Sequence, residues 1–138
     1  MIRIKLNSLF VLLLCLASCS EPTHGEKFVK GDRLYYEYTI PVTDSLAYYD
    51  LSFYTRVDNF KAGNCPLGLD LRWTSPADSL YYEKVWMRTG NTQGKVELYR
   101  SGMRFPLNGD WTLRIKAPDK PEGFCGVGVI WEKYYGTR

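Results

Sequence analysis

The stretch Trp111-Thr112-Leu113-Arg114-Ile115-Lys116-Ala117 decides the fold class. Trp111, Leu113, Ile115 and Ala117 are apolar and the residues between them are polar or basic, so the period is 2. Successive side chains of a strand point to opposite faces, whereas an amphipathic helix repeats its apolar residues three and four apart. The segment therefore predicts a strand with one buried and one solvated face. Turn formers bound it, with Pro106, Asn108 and Gly109 before it and Pro118, Pro121 and Gly123 after it.

The same period recurs along the chain. Leu34, Tyr36, Tyr38 and Ile40 share one face of a strand that Pro41 restricts to an edge or an end. Tyr49, Leu51, Phe53, Thr55 and Val57 share another, and so do Cys65, Leu67, Leu69, Leu71 and Trp73. Lys95 to Tyr99 reads as a short strand, and Phe124 to Tyr134 closes the series with Cys125, Val127, Val129 and Trp131 on one face. Residues 80–87 are apolar on both sides: Tyr81, Val85 and Met87 share a face with Glu83, and Leu80, Tyr82 and Trp86 share the other with Lys84. If Val85 and Met87 turn inward, Tyr82 and Trp86 become an exposed aromatic pair, the candidate contact surface of the molecule. Trp73, Trp111 and Trp131 extend unbroken apolar faces and belong in the core.

About seven strands with turn signals between them, and no convincingly helical window, predict an all-β fold. The expected architecture is an antiparallel β-sandwich, jelly-roll or immunoglobulin-like. Eleven tyrosines, six phenylalanines and four tryptophans favour strands in the same way.

The start of the chain has a different character. Arg3 and Lys5 precede an apolar run, Leu6 to Leu16, too short to span a bilayer, which needs about 20 apolar residues. It ends in Leu16-Ala17-Ser18-Cys19, the form of a lipobox. This predicts a lipoprotein signal peptide over 1–18, a diacylglycerol on the Cys19 sulfur, a polar tether over 19–32 and a sandwich domain over 33–135. Cys19 would carry the membrane anchor. Glu21 stands alone where surface-displayed lipoproteins of some bacteria carry an acidic cluster, which favours the periplasmic face of the outer membrane.

Of the 18 basic residues, Arg3 and Lys5 leave with the signal, so 16 face 15 acidic ones. That near balance, without a long basic run, argues against nucleic acid as a partner. The one histidine, His24, lies in the expected tether, which excludes a Ser-His catalytic pair or a histidine-rich metal site within the domain. No glycine-rich loop between strand and helix is present to hold phosphate. Asp50, Asp70, Glu83, Asp110 and Glu132 read as solvated surface rather than a catalytic pair, and the spacing of a calcium loop is absent around Asp58 and Asn59. The expectation is a non-enzymatic protein with no cofactor and no metal. Cys65 and Cys125 both fall on apolar faces in a compartment that permits disulfides, and are expected to bond to each other.

Tyr49 to Phe60, then Asn64 to Leu71, then Phe105 to Ile115, and finally Gly126-Val127-Gly128-Val129 follow one another in an order that resembles the GldH family of gliding-motility lipoproteins. The likeness spans about residues 34–134. It implies a lipid-anchored accessory of the outer membrane, associated with gliding and with the secretion system coupled to it, acting by contact with envelope proteins. A carbohydrate-binding lipoprotein of a polysaccharide-utilisation system, with a glycan stacked on Trp86, is the alternative.

Overall fold

A computed structural model describes residues 23–58 and 64–136. Eight strands follow in chain order: β1 (His24–Lys30), β2 (Tyr36–Val42), β3 (Tyr48–Val57), β4 (Pro66–Thr74), β5 (Leu80–Arg88), β6 (Lys95–Met103), β7 (Gly109–Lys116) and β8 (Phe124–Tyr134). They form two antiparallel four-stranded sheets, one ordered β1-β8-β3-β6 and the other β2-β7-β4-β5. The pairs are nested: β1 with β8, β2 with β7, β3 with β6 and β4 with β5. Of the two expected topologies this is the jelly roll.

The alternations read from the sequence set which face is buried. Tyr36, Tyr38, Ile40 and Val42 point inward from β2, and Leu113 and Ile115 from β7. Leu67, Leu69, Leu71 and Trp73 do so from β4, facing Tyr49, Leu51, Phe53 and Val57 of β3. Leu34 is the exception on β2: it lies outside the strand and is exposed, and Val42 takes the fourth inward position. The Tyr38 hydroxyl donates to the backbone carbonyl of Val127 and so ties one sheet to the other through the core.

The expected tether carries a strand. Residues 24–30 pair with β8 from His24↔Glu132 to Lys30↔Gly126. Only Val29 of this strand packs against the core; on the outer face Phe28 meets the Tyr54 ring edge-on at 5.7 Å, and the backbone ladder to β8 holds the remainder. Gly25 sits opposite Trp131, whose indole covers the space a side chain would need: a Cβ there would lie 2.3 Å from the ring. Trp131 accordingly packs on the core while remaining half-buried.

The disulfide expectation is overturned. Neither Cys65 nor Cys125 is part of a disulfide. The cause is a bulge in β8, where Arg56 pairs with Gly126 but Val57 pairs with Phe124, so Cys125 is the extra residue. Gly126 adopts φ +139°, the backbone change that accommodates the bulge. Phe124 takes the core position, and Cys125 turns to the outer side, where its sulfur lies 3.8 Å from an Arg56 guanidinium nitrogen. Cys65 instead packs against the core beside β4.

Each sheet has two edges, and three of the four edge strands carry a feature that discourages pairing with another chain. Pro41 removes a donor from β2. Glu83 of β5 and Glu97 of β6 are charged residues that reach inward across the gap between the sheets. Glu97 accepts from the Arg88 backbone N–H at 3.0 Å, and Glu83 accepts from Tyr99 and Arg100.

Candidate functional site

β5 turns Met87 into the core, 7% exposed, with Val85 packed against it. The opposite face then carries Tyr82 and Trp86, 71% and 67% exposed. Both sequence-derived contact residues therefore lie on the outer face of the β2-β7-β4-β5 sheet, with Lys84 between them. Trp86 is held in place although it is exposed. It pairs with Gly68 of β4, where a Cβ would stand 3.2 Å from the indole, so the ring lies over bare backbone. Lys84 caps it, its Nζ 5.2 Å from the ring centroid, and the same ammonium lies 4.0 Å from Asp70.

Register extends this face beyond β5. Arg72 of β4 stands opposite Tyr82 on one side and opposite Arg114 of β7 on the other. Arg114 stacks on Tyr35, 4.0 Å from guanidinium carbon to ring centroid, and approaches Glu37 at 3.6 Å. A shallow hollow of about 280 Å³ runs between Asp70, Arg72, Tyr82, Arg114 and Lys116. The Nε atoms of Arg72 and Arg114 are buried there without a hydrogen-bond partner. Two like charges directly opposite each other on neighbouring strands are unfavourable for the sheet. The face is thus aromatic and net basic, with Arg72, Lys84, Arg114 and Lys116 against Glu37 and Asp70.

Sequence reasoning found Tyr82 and Trp86 and missed Arg72, Arg114 and Tyr35. Those three lie 10 to 47 positions away in the chain, roughly, and only strand order brings them alongside. The expected lipidation residue Cys19 and the expected signal peptide over 1–18 lie outside the described residues. Cys65 and Cys125 do not join this face. Among the described residues no group of three or more His, Cys, Asp and Glu side chains is placed to hold a metal ion. No family model, no curated protein and no solved structure matches the chain.

Proposed function

We propose that the protein is a lipid-anchored accessory of the outer membrane that works by binding an envelope protein through the outer face of the β2-β7-β4-β5 sheet. The observation that carries this reading is the exposed Tyr82 and Trp86 pair, with Trp86 packed on Gly68 and Tyr82 opposite Arg72. Trp, Tyr and Arg are the residues in which binding energy concentrates at protein interfaces. A rigid, nearly flat aromatic surface suits a protein better than a sugar, which needs a shaped recess. Arg72, which no carboxylate among the described residues pairs, adds to the net basic character of the face and fits a partner whose contact patch is acidic. The lipobox at Leu16 to Cys19 supports the anchor, and the likeness to gliding-motility lipoproteins supports the setting, a gliding or secretion assembly.

Two measurements test this. Radioactive palmitate is expected to label the parent chain and not Cys19→Ala; equal labelling removes the anchor. A photo-crosslinker at position 82, on the proposed face, is compared in intact cells with one at Ser52 on the opposite sheet. It should give one protein adduct from position 82, lost in Trp86→Ala and in Arg72→Glu. Adducts that survive both substitutions, or none at all, defeat the binding reading.

A further inference from the structure

A second recess lies on a different side of the molecule. The edge strands β5 and β6 belong to different sheets, and side chains close the seam between them: Glu83 to Tyr99, Glu83 to Arg100, and Glu97 to the Arg88 backbone. At one end of this seam a cleft of about 350 Å³ opens to solvent. Trp73, Phe105 and Trp111 are buried beneath it, with the Phe105 and Trp111 centroids 5.1 Å apart. Tyr81 forms the wall, 51% exposed and tilted 30° to Trp111 at 6.2 Å, so one ring face is free for a visitor.

The polar groups of the cleft are arranged asymmetrically. Both carboxylate oxygens of Glu83 are engaged, one by the Tyr99 hydroxyl and one by Arg100. Arg104 lines the rim, exposed, with its guanidinium carbon 5.5 Å from the Tyr48 ring centroid. No carboxylate among the described residues forms an ion pair with it. The cleft therefore offers an aromatic wall, a cation whose N–H donors no acidic side chain occupies, and one carboxylate already neutralised from within.

Its size lies toward the lower end of small-ligand pockets, which suits one or two rings rather than a folded chain. A flat apolar ring would use the Tyr81 wall alone, and a bare inorganic anion would use Arg104 alone. We propose that this cleft binds a hexuronate unit, a pyranose ring that stacks on Tyr81 and places its carboxylate on Arg104, within an acidic polysaccharide that enters and leaves along the open seam. Planar guanidinium matches a carboxylate with two parallel N–H bonds, and the sugar's C–H face packs on the tyrosine ring. This site is separate from the Trp86 face and does not depend on the protein-binding reading.

The experiment is a titration of the whole chain with trigalacturonate, and with the neutral galactotriose of the same linkage, followed by tryptophan fluorescence and calorimetry. Trp73 and Trp111 beneath the cleft make the emission responsive. Trigalacturonate is expected to bind and to weaken as salt rises, while galactotriose binds at least about tenfold more weakly, as loss of a charge-assisted contact implies. Arg104→Ala and Tyr81→Ala change exposed side chains and should each lower trigalacturonate affinity at least about tenfold. Trp86→Ala should leave it unchanged. No binding, equal binding of the neutral sugar, or binding kept by both cleft variants overturns the proposal. Loss of binding in Trp86→Ala alone overturns it as well, because it would place the sugar on the outer face.

Discussion

Tyr38 serves both sheets with one side chain. Its ring fills the core and its hydroxyl donates to the Val127 carbonyl of the facing sheet. Burial, with Tyr36 as a lesser cause, pushes its ionisation far above the ordinary tyrosine range. Tyr99, partly buried and bonded to Glu83, shifts in the same direction. An unfolded tyrosine titrates near pH ~10. Because the folded value is the raised one, the stabilising contribution is complete below that pH and is lost as pH rises above it, where the unfolded chain releases a proton that the folded chain keeps. For Tyr38 the loss runs at about 1.4 kcal/mol per pH unit. Tyr38→Phe is expected to lower stability at pH 7 by about 1 to 2 kcal/mol. It should also remove that part of the alkaline decline. Urea unfolding of parent and variant at neutral and at alkaline pH measures both, and identical alkaline slopes would contradict the assignment. The same scale explains what could be read of the candidate site. Tyr82 and Trp86 were visible as a pair, but which way they point was not, because Glu83 and Lys84 place one charge on each face of β5. Glu83 turns inward because Tyr99 and Arg100 of β6 receive it, and residues that distant leave no local pattern.

At the level of strands, period 2 located seven of the eight, with ends that shifted by a few residues, as Lys95–Met103 in place of Lys95 to Tyr99 shows. β1 escaped because a strand with Val29 alone against the core has no apolar alternation to display. The error at Cys125 has a different origin. A bulge adds one residue and inverts the facing of everything beyond it, while strict alternation assumes none. Gly126 is the residue on which the bulge depends. A Cβ there would lie 2.2 Å from the Val29 carbonyl oxygen, at a φ that side chains with a Cβ rarely adopt. Gly126→Ala is therefore expected to destabilise by at least about 2 kcal/mol. Since the clash falls on β1, it should also raise amide exchange in residues 24–30 more than in β3. A variant with parent-like urea midpoint and exchange would show that the bulge relaxes without loss.

Across the whole molecule, β3 and β8 lie inside one sheet and β7 and β4 inside the other, while β1, β2, β5 and β6 are edges. Edge amides open at lower free energy than those shared between two partners. Hydrogen exchange should accordingly rank β1 as less protected than β8, its only neighbour; equal protection would mean that β1 leaves only with global unfolding. The nested pairing carries a further consequence for assembly. Beginning at the β4–β5 turn, where the Ser75 hydroxyl accepts from the Ala77 and Ser79 N–H groups, each pair brings the ends of the next together. β3 with β6, β2 with β7 and finally β1 with β8 can then close over short effective distances, although β1 and β8 stand about 100 positions apart in the chain. The molecule can zip outward from its middle. A ribosome that still holds the last strand would leave β3 and β1 without the partner between them, and that sheet would complete only on release.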